Sequence, residues 1–186
     1  MRKKLLKTSV LVAAMLGVSP AFAQSTANVT ITSLLTVQDG CVINGGASLA
    51  LINFGTVANP GARTDDIRGN TQASGSPIVV SCNVNSSAAT FQINAGNNDS
   101  GGVHRLRNIT GVGGAPGEFL EYRLFSSATL SPASEYQISN PLPANGGTIT
   151  AGVPFEIVVF GRILNAQAVQ AVAGIYQDIT QGVLTF

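Results

Sequence analysis

The sequence predicts an all-β protein, a sandwich or barrel of short strands. Apolar and polar residues alternate with period two in several short runs, the mark of strands with one buried face. Clusters of Gly, Asn, Asp and Pro separate these runs. Gly, Ala, Val, Thr, Ser and Asn are abundant, whereas the helix-favouring Glu and Lys are scarce and Trp is absent.

The chain opens with MRKKLLKTSVLVAAMLGVSPAFA. Arg2, Lys3, Lys4 and Lys7 form a basic segment, Leu11 to Val18 an apolar one, and Ala21-Phe22-Ala23 a small-x-small cleavage site after Pro20. Residues 1–23 therefore read as a secretory signal peptide, because the apolar run is too short to span a bilayer comfortably. Cleavage after Ala23 leaves 163 residues, one domain by length and long enough to bury a core. It also removes every lysine and leaves six Arg against nine Asp and Glu, a net charge of −3. That charge argues against nucleic acid as a partner, and no later segment is long and apolar enough to cross a membrane.

The first element is ANVTITSLLTV, Ala27–Val37. Val29, Ile31, Leu35 and Val37 share one face, on which Ser33 is the polar exception. After the Asp39-Gly40 turn a short strand begins at Cys41-Val42-Ile43 and stops at Asn44-Gly45-Gly46. Leu49–Val57 reads as a strand with Ala50, Ile52 and Phe54 on one face, and Asn59–Gly75 as a polar loop. Pro77–Val84 and Ala88–Ala95 read as a pair of strands, and Gly96–Gly117, with seven glycines, as loop. Phe119–Ser126 alternates cleanly. Tyr136–Ser139, Thr148–Ala151 and Pro154–Ile163 follow as strands, Leu164–Gly174 as a loop or single helical turn, and Ile175–Phe186 as the last strand. The two cysteines of an exported chain, Cys41 and Cys82, most simply form one disulfide. Its loop of about 42 residues corresponds to roughly 4 kcal/mol of chain-entropy stabilisation.

No catalytic or cofactor site emerges. His104, the single histidine, falls in the Gly-rich loop, where solvent exposure is expected, and has no Ser–His–Asp context. GVGGAPG at 111–117 lacks the Lys-Ser/Thr and the helix of a phosphate loop. Asp65-Asp66 lacks calcium-ligand spacing, and two Cys with one His do not make a zinc site. Glu118 and Glu121, three apart on a strand, face opposite ways.

The final stretch GIYQDITQGVLTF, 174–186, resembles the G-x-Y-x-D…F ending of spore-coat-U-type domains, the pilins of Csu-like archaic chaperone–usher pili. Asn53-Phe54-Gly55 resembles the family's F-G, Val80-Ser81-Cys82 its V-x-C, Tyr122-Arg123-Leu124-Phe125 its Y-x-L-Y, and Gly161-Arg162-Ile163 its G-x-I. Thr180 and Gly182 depart from the family's inward-facing aliphatics.

The resemblance implies an incomplete immunoglobulin-like β-sandwich, residues 38–186, completed by a donated N-terminal strand, residues 24–37. A sheet short of one strand leaves unpaired N–H and C=O groups over exposed core, which a strand from another molecule can fill. The implied donor residues are Val29, Ile31, Ser33, Leu35 and Val37. The implied groove strand and chaperone contact comprises Tyr176, Asp178, Leu184 and Phe186. By its place after Tyr176, Asp178 is expected either to hold a turn or to pair with an arginine such as Arg162. The implied partners are identical or related pilin subunits joined head to tail, a periplasmic chaperone and an outer-membrane usher, with no cofactor. By pattern alone the opening strand pairs within its own domain, in whole or from Thr36 onward, or folds back in cis. Two further functions stay open at this point: a secreted monomeric adhesin-like or coat protein, and a small secreted hydrolase.

Overall fold

The computed structural model describes residues 34–46, 49–111 and 117–186. The expected signal peptide and the donor residues Val29, Ile31 and Ser33 lie outside the described residues. The chain divides into two units, Met1–Thr36 and Val37–Phe186. In the first, Leu34 and Leu35 are exposed. The second holds all the strands described below.

Among the described residues, eleven short strands make up three antiparallel sheets. They are β1 Cys41–Ile43, β2 Ile67–Asn70, β3 Ile78–Cys82, β4 Thr90–Ile93, β5 His104–Asn108, β6 Phe119–Phe125, β7 Leu142–Pro143, β8 Phe155–Ile157, β9 Phe160–Ile163, β10 Tyr176–Gln177 and β11 Gly182–Thr185. The orders are β1-β3-β8, β10-β5-β6-β9-β2 and β11-β4-β7. Among the described residues, helix is limited to Asn165–Ala168 and single 3-10 turns. The architecture is all-β and consistent with an immunoglobulin-like sandwich.

Alternation explains the core. In β3, Ile78, Val80 and Cys82 point inward and Val79 and Ser81 outward. In β6, Leu120, Tyr122 and Leu124 do the same between Phe119, Glu121 and Arg123. Phe91 meets Tyr136 edge to face at 5.8 Å, and Phe54 meets Tyr122 at 6.1 Å. The outward rung Arg123–Arg162–Arg68 stacks three like charges across β6, β9 and β2. Glu135 offsets the repulsion by taking Arg123 through both carboxylate oxygens, and Arg162 sits over the Phe125 ring at 5.0 Å.

The structure revises several boundaries. Two strands were hidden in expected loops: β2 within Asn59–Gly75, and β5 within Gly96–Gly117. The strands within Pro77–Val84 and Ala88–Ala95 do not pair with each other; β3 joins β1 and β8, whereas β4 joins β11 and β7. Pro154–Ile163 divides at Val158-Val159 into β8 and β9, which belong to different sheets, and Ile175–Phe186 divides likewise into β10 and β11. Thr148–Ala151 and Tyr136–Ser139 contribute no ladder; Ile149 and Glu135 form single bridges.

Leu49–Val57 has strand alternation but no strand partner. The Leu51 and Asn53 N–H groups donate instead to Ser76 Oγ at 3.1 Å and Ser74 Oγ at 2.8 Å, while Ile52 and Phe54 pack on the core. The segment lies so close to the sheet that a Cβ on Gly69 would stand 2.7 Å from the Asn53 carbonyl oxygen. One on Gly161 would stand 2.6 Å from the Phe54 ring.

Buried phenols give the fold an alkaline limit. Desolvation pushes the Tyr136 hydroxyl from 10.0 up to about 12. A pKa raised by folding means the folded state holds its proton more tightly. The stability this adds is complete below pH 10 and is lost as pH climbs toward about 12. Two pKa units correspond to roughly 3 kcal/mol. Urea melts of wild type should therefore be level from pH 8 to 9.5 and decline above pH 10. Tyr136→Phe should flatten part of that decline, leaving the share due to Tyr122; an unchanged pH profile would show that Tyr136 contributes nothing.

Candidate functional site

Among the described residues is a groove of about 880 Å³. One wall is β1 with Asn44, Gly46, Leu49–Ile52 and Phe54; the other is Gln177–Gly182. Its floor is core: Ile78, Phe91, Ile93, Leu106, Tyr122 and Leu124.

Each wall includes a sheet edge, β1 in the first and the start of β11, Gly182, in the second. β1 is bonded to β3 alone and β11 to β4 alone. The Asn83 N–H donates to the Gly40 carbonyl at 3.1 Å, so antiparallel alternation turns the backbone groups of Cys41 and Ile43 away from β3. The Asn94 N–H donates to the Gln181 carbonyl at 2.8 Å, which turns those of Gly182 and Leu184 away from β4. Two rows of unused donors and acceptors thus flank an apolar floor, an arrangement suited to receiving an extended peptide. Gly182 is required in this wall, because a Cβ there would collide with the Phe91 ring of the floor.

The disulfide Cys41–Cys82 is present, with Sγ atoms 2.10 Å apart, and it staples β1 to β3. Asp178 lines the groove but does not meet Arg162, which stands 4.0 Å from Asp66. Asp178 accepts instead from the Tyr122 hydroxyl at 2.9 Å, the Asn98 N–H at 3.2 Å and the Asn98 side-chain amide at 3.0 Å. Burial, reinforced by the Asp178 charge, pushes the Tyr122 phenol far above its ordinary value, so it stays a neutral donor. Leu184 packs on the core from β11, whereas Tyr176 belongs to β10 in a different sheet, and Phe186 is half exposed. Of the expected donor residues, Leu35 and Val37 are described, 84% and 71% exposed.

The family model for the Spore Coat Protein U domain matches residues 25–182, most of the chain. The chain belongs to this family. No match was found among curated proteins. Spore Coat Protein U domains are structural pilin domains rather than enzymes, and they are associated with pilus subunits. Among the described residues no helix is long and apolar enough to cross a membrane.

The Spore Coat Protein U motif residues acquire physical roles here. Gly174 lies against the Asn108 side chain, which caps its own loop by accepting from the Thr110 and Gly111 N–H groups. The Tyr176 hydroxyl donates to the Gly117 carbonyl at 2.7 Å and accepts from the Val172 N–H at 3.0 Å. Asp178 anchors the groove wall to β6 through Tyr122.

Sequence reasoning misplaced His104. It is 4% exposed on the inner face of β5, opposite Tyr122, with its Nδ1 2.9 Å from Asp99 Oδ2. The signal was available in His104-Arg105-Leu106-Arg107-Asn108, whose alternation is that of a strand, but the flanking glycines masked it.

Proposed function

We propose that the protein is a structural pilus subunit that polymerises by donor-strand complementation through the chaperone–usher pathway, supporting adhesion and biofilm formation at the cell surface. The supporting observation is the groove: two strand edges with backbone groups turned outward over an apolar floor, in a chain of a pilin-domain family.

Residues 1–23 serve as the export signal and 24–37 as the donor strand, whose Val29, Ile31, Ser33, Leu35 and Val37 enter the groove of the next subunit. A strand laid there pairs with β1 on one side and β11 on the other and joins two three-stranded sheets into one. Such a contact is heterologous and does not close, so it yields a filament. The periplasmic chaperone occupies the same groove, against the wall that holds Asp178 and along β11, which carries Leu184, until the usher exchanges it for a donor.

Expression with the cognate chaperone and usher tests this. Filaments sheared from the cells should run as an SDS-stable ladder that collapses to monomer on boiling. Recovery of only free monomer from the medium would instead support the secreted monomeric adhesin and overturn the pilin reading.

A further inference from the structure

Beside the groove, three chain segments bring their metal-binding side chains together. Asp99 comes from the turn between β4 and β5, His104 from the start of β5, and Asp178 from the residue after β10. One ligand atom from each lies within 4.8 Å of the others. The pairing of β10 with β5, Gln177 opposite Arg107, puts Asp178 on the same face as His104.

The cluster is buried and its hydrogen bonding is incomplete. The side chains of His104 and Asp99 are 4% and 7% exposed. Asp99 Oδ2 accepts from the Gly96 N–H at 2.6 Å, which fixes the carboxylate. Its Oδ1, and His104 Nε2, are fully buried with no hydrogen-bond partner among the described residues. Unsatisfied buried polar atoms are rare in folded proteins, and two in adjoining side chains point to a ligand that uses them. Arg105 does not neutralise the pair of carboxylates, since its Nε donates to the Asn98 carbonyl and its guanidinium covers the Phe119 ring at 4.4 Å.

We propose that Asp99, His104 and Asp178 form a divalent transition-metal site, with zinc the best-matched ion. One imidazole and two carboxylates suit zinc, whereas magnesium and calcium favour all-oxygen shells. Ligands about 2.0–2.2 Å from one ion lie roughly 3.5 Å apart, so side-chain adjustments of about an ångström complete the shell. Of the three residues, Asp178 also lines the groove. Tyr122 and Asn98 hold Asp178 from behind and orient it, as outer partners do at metal centres. This site stands independently of the pilin reading.

The test uses the full exported chain, stripped with EDTA and titrated with zinc by calorimetry and with cobalt(II) by visible absorption. Saturable uptake of one ion per chain, a cobalt d–d spectrum of nitrogen and oxygen ligation, and a rise in melting temperature are expected. Asp99→Asn and Asp178→Asn should each weaken uptake at least tenfold while keeping side-chain shape. Glu156→Gln, which removes a carboxylate on the exposed face of β8 away from the cluster, should retain uptake within a few-fold. No saturable uptake by the folded chain, or uptake unaffected by both Asp→Asn variants, overturns the proposal.

Discussion

Removal of residues 24–35 is expected to abolish the SDS-stable ladder completely while leaving a folded body that still co-purifies with its chaperone. The donor's apolar face, Val29, Ile31, Leu35 and Val37, buries up to about 1.5–3 kcal/mol per side chain, less the cost of ordering the segment. Among the described residues, those that line the groove run from Cys41 to Gly182, outside the deleted segment. A synthetic peptide of residues 27–37 added to the truncated chain should raise its melting temperature, because a ligand of the native state stabilises it by mass action. The same peptide with Ile31→Asp should not. Polymerisation of the truncated chain would show that another segment is the donor.

The second large effect concerns the disulfide. Cys41→Ser with Cys82→Ser should lower stability by about 4 kcal/mol, the loop-entropy value for the 41-residue separation of the two cysteines. That is a major fraction of the 5–15 kcal/mol typical of a domain. The loss should not be uniform. β1 has only three residues and only one neighbouring strand, so the disulfide is its one covalent tie to β3 beside a short ladder. Hydrogen exchange at Cys41–Ile43 should therefore rise more than exchange in β6, which lies between β5 and β9. Donor binding should suffer beyond the global destabilisation, since one wall of the groove moves. Equal exchange changes in β1 and β6 would show that the bond acts only on the unfolded chain.

Much of this was legible in the residues. Strands with strict alternation, such as Ile78–Cys82 and Phe119–Phe125, were read correctly because each has one face in the core. The disulfide followed from export and arithmetic. The failures share a cause: alternation reports which side of a chain is buried but not what its backbone bonds to. Leu49–Val57 alternates like a strand, yet serine hydroxyls hold it rather than a neighbouring ladder. Ile175–Phe186 reads as one last strand, yet it crosses from one sheet to another at Asp178–Gln181. The two walls of the groove lie among these segments. Gly182, a departure from the family's aliphatic pattern, is explained only by the Phe91 ring, a contact between residues 91 positions apart. The buried Asp99–His104–Asp178 cluster was invisible for the same reason, since only folding brings its members together.

The close fit of Phe54 over Gly161 has a consequence for how the sequence can drift. A ring at one position and a bare α-carbon at the other fill one volume between them, so neither can change in size alone. Ala at 161 becomes tolerable only once the residue at 54 has shrunk, and a trimmed side chain at 54 leaves a void until 161 grows. The two sites, 107 positions apart in the chain, are bound to vary as one unit.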